Sequence, residues 1–142
     1  MKVILFGATG MIGQGVLRAC LDDPGVTRVL AVVRSATGVR DAKLTELVHK
    51  DFHDYGAIAG ELAGYDACLF CLGVSSAGMD EAAYTKVTYD VTLAAAAVLA
   101  ASPDIRFQYI SGAGTDSSEK GRAMWARVKG RTENALLAMP FK

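Results

Sequence analysis

The sequence predicts an α/β fold: a single doubly wound parallel sheet in strand order 3-2-1-4-5, with helices on both faces in three layers. Three observations carry that reading. Val3-Ile-Leu-Phe6, Val29-Leu-Ala-Val-Val33 and Cys68-Leu-Phe-Cys-Leu72 are short unbroken apolar runs, the pattern of strands covered on both faces. The stretches between them carry apolar residues at helical spacing, and strands alternating with helices imply a parallel sheet. A glycine-rich turn, Gly7-Ala-Thr-Gly10-Met-Ile-Gly13, follows the first strand directly. Right-handed crossovers from such a start favour the doubly wound order.

Each element follows in turn. Val3–Phe6 is the first strand. Ile12, Val16 and Cys20, with Leu17 and Leu21, mark a helix that Asp22-Asp-Pro-Gly25 ends. Val29–Val33 is the second strand, and residues 35–43, polar with a glycine, form a loop. Thr45–Val48 is a weaker third strand, and Tyr55–Leu62 a short helix. Cys68–Leu72 is the fourth strand, again ending in glycine. Tyr84, Val87, Val91, Ala94 and Val98 define one face of a long helix that ends before Pro103. Ile105, Phe107, Tyr109 and Ile110 belong to a fifth strand. Arg122–Met139 is the last helix, stopped by Pro140.

Bulk properties narrow the function. A chain of 142 residues, 51% hydrophobic, can bury one sizeable core. Lys plus Arg equals Asp plus Glu at 15 each, so no broad basic face is expected for nucleic acid or an anionic membrane. Three cysteines, Cys20, Cys68 and Cys71, form no disulfide framework and suit a reducing compartment, read here as the cytoplasm. The apolar start is too short for a secretory leader, and no apolar run is long enough to span a bilayer.

The glycine turn carries chemistry. A strand that turns sharply into a helix brings unpaired backbone N–H groups and a partial positive charge to one point, which suits a phosphate. A side chain at Gly7 or Gly10 would obstruct the turn or a pyrophosphate, and Gly13 lets the helix pack close to the sheet. Lying between a predicted strand and a predicted helix, the turn reads as a dinucleotide site. At the end of the second strand an NAD-selective site would carry an acid for the ribose hydroxyls. This chain has Val32-Val33-Arg34-Ser35. Arginine pairs with a 2′-phosphate and serine can donate a hydrogen bond to it, so NADP(H) is expected in preference to NAD(H).

The spacing Gly-x-x-Gly-x-x-Gly within Ile4-Leu-Phe-Gly-Ala-Thr-Gly-Met-Ile-Gly13 resembles the short-chain dehydrogenase/reductase superfamily, an NAD(P)-binding Rossmann group, particularly its extended and atypical branches. Tyr109-Ile-Ser-Gly-Ala-Gly114 and Val128-Lys-Gly-Arg-x-Glu133 extend the resemblance over almost the whole chain, closest to epimerase/dehydratase-like and NmrA-like members. The resemblance implies Ala8, Thr9, Gly10, Met11 and Ile12 around the pyrophosphate, Asp51 and Phe52 beside the adenine, and Cys71, Leu72 and Gly73 along the cofactor ribose. It implies Ser111 as the active-site serine and Lys129 as the lysine that holds the nicotinamide ribose. In extended relatives the long helix and the last helix form a dimer bundle, so a homodimer is open.

Two departures stand out. The family carries Tyr-x-x-x-Lys on the last helix, and this chain carries Trp125-Ala-Arg-Val-Lys129. An indole N–H donates a hydrogen bond but does not exchange a proton near neutral pH, which puts tyrosine-based carbonyl reduction or epimerisation in question. Thr88 stands where many relatives have Asp or Asn. Relatives also continue past the equivalent of Lys142, so the single domain 1–142 is expected to lack their substrate region, and the fifth strand to be an edge softened by Arg106 and Gln108. Three readings remain open: an NADP(H)-dependent oxidoreductase or epimerase-like enzyme on an unidentified small molecule, a non-catalytic NADP(H)-sensing or partner-binding protein, and a fragment without a complete site.

Other signals are discounted. Cys68 and Cys71, three apart on a strand, point to opposite faces and should not share a metal. His49 and His53 lack a ligand cluster, so no metal is expected. Ser111 has no Gly-x-Ser-x-Gly elbow, and no histidine follows it, against a hydrolase triad.

Overall fold

The computed structural model describes residues 1–102 and 104–142. The five strands are β1 (Lys2–Phe6), β2 (Arg28–Val33), β3 (Leu44–Val48), β4 (Ala67–Phe70) and β5 (Arg106–Tyr109), and they form one parallel sheet in the order β3-β2-β1-β4-β5. The expected doubly wound order is met. In register, Phe6 lies opposite Val32 on one side and Phe70 on the other, so β1 is central and its end is flanked by the ends of β2 and β4.

Alternation along each strand divides the core between the two faces. Ile4, Phe6, Leu30, Val32, Cys68 and Phe70 point to one face, where Ile58, Leu62, Val91, Ala95 and Leu99 cover them. Val3, Leu5, Val29, Ala31 and Val33 point to the other, covered by Leu17, Cys20 and Val26. Cys68 belongs to the first face and Cys71 packs against the second, so the two thiols are divided as their spacing requires. The inner strands are buried almost throughout, which is why they read as unbroken apolar runs.

Helix α1 (Met11–Asp22) packs on the second face through Leu17 and Cys20. Its last turn has no basic residue. Lys43 supplies one from the loop before β3: its Nζ donates to the carbonyls of Leu21 and Asp23, at 2.8 Å each, satisfying groups that a helix C-terminus leaves open. The short helix expected at residues 55–62 is a 3₁₀ helix, Gly56–Leu62. No helix among the described residues is long and apolar enough to cross a membrane.

The long helix differs from expectation. It runs as α2 (Glu81–Thr85), a π segment (Lys86–Asp90) and α3 (Val91–Leu99). Its buried residues are Tyr84, Thr88, Val91, Thr92, Ala95, Ala96 and Leu99. Val87, expected in the core, is 36% exposed, and Ala94 and Val98 are only half-buried. A π segment widens the turn and rotates the following residues relative to those before it, so 3.6-residue spacing carried across it predicts the wrong face. Polar threonines reach the core because a helix backbone can take up their hydroxyls: Thr92 Oγ1 donates to the Thr88 carbonyl at 2.6 Å. The proline expected to end this helix, Pro103, lies outside the described residues. Helix α4 (Met124–Leu137) packs against α2, the π segment and α3. Strand β5 lies at the sheet edge with Arg106 and Gln108 exposed.

Candidate functional site

The C-terminal ends of β1, β2 and β4 converge where the chain leaves the sheet for α1. Gly7 has φ +82°, a left-handed value, and a Cβ on it would lie 2.7 Å from the Cys71 carbonyl carbon and 2.8 Å from the Leu72 nitrogen. Only glycine satisfies both conditions. The Gly10 N–H donates to the Gly7 carbonyl at 3.0 Å, closing the turn. A Cβ on Gly13 would stand 1.8 Å from the same Gly7 carbonyl oxygen. Gly13 therefore lets α1 approach the turn itself, a closer contact than the helix-on-sheet packing anticipated for it.

Gly10 is different. Its φ is −76°, and among the described residues a Cβ there would meet only the Gly7 oxygen, at 3.4 Å. The protein's own packing permits a small side chain at this position. Gly10 is also the N-cap of α1; its carbonyl accepts from the Gln14 N–H at 2.9 Å, and among the described residues no side chain bonds the open N–H groups before it, Met11-Ile-Gly13, in a first turn without an acid. The helix start thus presents donors and partial positive charge to whatever lies over Gly10.

What lies there is a groove of about 340 Å³. Gly7, Thr9 and Gly10 form one side. Arg34, Lys50, Asp51, Phe52 and His53 form a second, Cys71, Leu72, Gly73 and Val74 a third, and Val87 and Val91 a fourth. A recess of about 70 Å³ adjoins it, lined by Ala8, Val32, Val33 and Ser35 together with Gly7, Thr9, Arg34, Phe52 and Leu72 of the groove. Gly7, Ala8, Thr9, Gly10, Arg34, Ser35, Asp51, Phe52, Cys71, Leu72 and Gly73 are thereby brought together from four separate stretches of chain. Met11, 90% exposed, instead lines a neighbouring cavity beside α1. Ile12 is half-exposed, and Gly13 is buried beneath the turn.

Lys50, His53, Val74, Val87 and Val91 line the groove without having been read from the sequence as cofactor contacts. Strand register was the available signal for Lys50: Val33 pairs with Val48, so the residues just past both strand ends share one rim. Asp51 is turned toward its own loop. Its Oδ1 accepts from the His53 N–H at 2.9 Å and stands 3.8 Å from His53 Nδ1. His49 Nε2 donates to the Asp54 carbonyl at 2.7 Å while its ring stacks on Tyr55. The histidines thus serve loop structure, and among the described residues no cluster of His, Cys, Asp and Glu could hold a metal ion. Burial, with Cys20 nearby, pushes the Cys71 thiol up, so it faces the groove neutral.

Ser111, Trp125 and Lys129 gather at the end of β5 and the start of α4, outside the lining of that groove. Ser111 Oγ donates to Glu133 Oε1, and Thr115 Oγ1 donates to Glu133 Oε2 at 3.2 Å. Trp125 lies over the loop after β5, with its ring 3.8 Å from the positions a Cβ would take at Gly112 and Gly114. Lys129 Nζ sits 5.5 Å from the Tyr109 ring centroid. Burial lowers the Lys129 ammonium below the usual lysine range, and Glu133 opposes that shift. Burial, with Tyr84 and Glu133 adding to it, holds the Tyr109 phenol far above its usual value, so it stays protonated. Tyr84 itself is 2% exposed. The hydroxyl hydrogen of Ser111 is committed to a carboxylate, the indole does not exchange protons, and the nearby phenol is held neutral by burial. Lys129 is the group of this cluster best suited to release a proton.

The chain is 29% identical over 148 residues to the protein named fmp52, mitochondrial, of Emericella nidulans, covering 99% of this chain and 62% of that protein. It is 24% identical over 143 residues to FMP52, mitochondrial, of Meyerozyma guilliermondii, covering 99% and 60% respectively. It thus spans about three-fifths of the length of these curated relatives. Their names overturn the expectation of a cytoplasmic location: each is called mitochondrial, and three unpaired cysteines mark a reducing environment without specifying which. Among solved structures, the Bordetella bronchiseptica enzyme WbmG in complex with NAD and UDP superposes with a TM-score of 0.76 at 14% identity, over 99% of this chain and 50% of that one. Uronate dehydrogenase from Agrobacterium tumefaciens gives 0.72 at 17%, over 94% and 53%. At such identities the likeness establishes the fold alone, a Rossmann-like α/β domain. The family described as NAD(P)H-binding matches residues 7–137, the glycine turn through the end of α4, and this chain belongs to that family.

Proposed function

We propose that the chain binds NADP(H) in preference to NAD(H) in the groove over Gly10, and that it does so without tyrosine-based proton transfer. One observation carries the preference: Arg34 and Lys50, from the ends of two neighbouring strands, line the same groove as the glycine turn, where an acid would select NAD(H). The donors at the start of α1 would hold the pyrophosphate, with Gly7 and Gly10 leaving room for it. Arg34, Ser35 and Lys50 would hold the 2′-phosphate. Asp51 and Phe52 would meet the adenine, Cys71–Gly73 the ribose, and Lys129 the nicotinamide ribose. The bound dinucleotide would supply hydride chemistry.

Calorimetric titration with NADPH and NADH tests this directly. Trp125 does not line the groove, so heat is a safer readout than its fluorescence. Arg34→Ala should weaken NADPH by about 2 kcal/mol, the range for a hydrogen bond to a charged group, and NADH by much less. Equal losses for the two would remove the phosphate role from Arg34.

Binding without turnover, as in a sensor or partner module, fits Trp125 in the tyrosine position and Ser111 engaged by Glu133. A reductase reading is favoured by the half-buried placement of Lys129 over the Tyr109 ring, where burial lowers its pKa and would ease proton release toward a substrate carbonyl. NADPH oxidation on a panel of carbonyls separates the two readings. Turnover abolished by Lys129→Ala supports the reductase, and NADPH binding with no turnover supports the sensor.

A further inference from the structure

The groove has two walls that are distant in sequence, the loop after β3 and the helical rod of α2, the π segment and α3. Lys50–His53 form the first, and Val87 and Val91 the second. One side chain spans the gap. His53 Nε2 lies 3.1 Å from the carbonyl of Lys86, the first residue of the π segment. A carbonyl only accepts, so Nε2 carries the hydrogen and donates. The same residue is bound into its own loop through its N–H to Asp51 Oδ1. The base of that loop is fixed independently, by His49 donating to the Asp54 carbonyl and by the stack of His49 on Tyr55, whose ring meets Phe6 edge-on at 5.7 Å. The loop is thus anchored at its root by core packing, which Phe52 joins with its ring edge-on to Phe6 at 6.4 Å, and its tip reaches the π segment through His53. π segments recur at functional sites, and this one contributes both the anchoring carbonyl and the groove-lining Val87.

We propose that His53 is a positioning residue for the dinucleotide. It ties the tip of the loop to the π segment and sets the width of the slot that the adenosine half enters. The inference rests on the NADP(H) reading above. Phe52 stays held by its packing on Phe6, but without the tie the exposed Lys50 and Asp51 lose their link to the π segment, and ordering them is added to the cost of binding. The nicotinamide half, against Cys71–Val74, does not depend on that loop.

The test uses His53→Ala and His53→Gln in the full chain, the glutamine amide being able to donate to the same carbonyl. NADPH affinity is measured by calorimetry, and adenosine 2′,5′-bisphosphate and nicotinamide mononucleotide by competition against NADPH. His53→Ala should weaken NADPH and the bisphosphate by about fivefold each, the worth of one ordinary hydrogen bond. It should leave nicotinamide mononucleotide unchanged. His53→Gln should come within about twofold of the parent, and both variants should melt without ligand close to the parent, since the His53 side chain is 42% exposed. The proposal is overturned by unchanged NADPH affinity in His53→Ala, by equal losses on both half-ligands, or by failure of glutamine to restore binding. If the parent itself binds no NADPH, the underlying reading falls and this one with it. If the parent binds and His53→Ala binds equally well, this one falls alone.

Discussion

Gly10→Ala and Gly13→Ala place the same methyl group three residues apart and should fail in opposite ways. At Gly13 the new Cβ stands 1.8 Å from the Gly7 oxygen and 2.6 Å from its carbon. Both are backbone atoms of a closed turn. Opening the contact to 3.0 Å, below which real Cβ contacts are essentially unknown, moves the start of α1 or the turn by more than 1 Å. Leu17 and Cys20 of that helix are 3% and 8% exposed, packed on Val3, Leu5 and Ala31, so the shift loosens one face of the core. Overpacking of this kind costs about 3 kcal/mol at the upper end of its usual range, a large part of a total stability of about 5–15 kcal/mol. That corresponds to a melting temperature lower by about 12 °C. At Gly10 the same methyl meets one atom at 3.4 Å with φ already negative. Its structural cost is the loss of a good N-cap, at most about 1 kcal/mol, while it projects into the groove. Thermal melts followed by circular dichroism, paired with NADPH calorimetry, read both quantities. Gly13→Ala should lose stability, and Gly10→Ala should lose binding with a nearly unchanged melt. A Gly13→Ala protein melting within about 2 °C of the parent, or a Gly10→Ala protein that keeps full affinity, would refute the division of roles.

Two pH-dependent outcomes follow from side chains outside the groove. Asp116 accepts from the Ser118 hydroxyl and from the N–H groups of Gly121, Ser118 and Lys120, which hold its carboxyl below the usual range. A depressed carboxylate stabilises above its unfolded pKa and loses that contribution as pH falls through the folded value. The melting-temperature gap between the parent and Asp116→Ala should therefore be full at neutral pH and close under strong acid; a gap independent of pH would show that the carboxylate charge is not what these donors hold. Lys129 has the opposite sign. Burial lowers its pKa, so the charged form carries a cost in the folded state near neutral pH, and the cost is relieved as pH rises through the lowered value toward the usual lysine range. Lys129→Met should melt higher than the parent at neutral pH, with the advantage shrinking in alkali. An advantage that grows with pH would contradict the burial account.

What could be read from the sequence, and what could not, divides along physical lines. The inner strands were legible because burial on both faces leaves no polar residue to interrupt Val3–Phe6 or Val29–Val33. The π segment was not. Nothing in Lys86-Val-Thr-Tyr-Asp90 announces a widened turn, so Val87 was placed on the apolar face that Thr88 and Thr92 take instead, Thr92 hiding its hydroxyl on the helix backbone. The groove divides similarly. Gly7, Gly10, Gly13 and Arg34 lie in one strand-turn-helix-strand unit and carry a local pattern. Lys50 enters through strand register and His53 through a bond to a main-chain carbonyl, and a carbonyl has no residue type to search for. Even the legible glycines were legible only as letters. Gly7 and Gly13 are required by contacts inside the chain, so the same residues would serve a turn with no ligand at all. Gly10 is the one of the three that the chain's own packing does not require, and the space its missing side chain leaves opens onto uncapped helix donors, Arg34 and Lys50. The strongest physical argument for a bound phosphate therefore rests on the glycine the fold itself needs least.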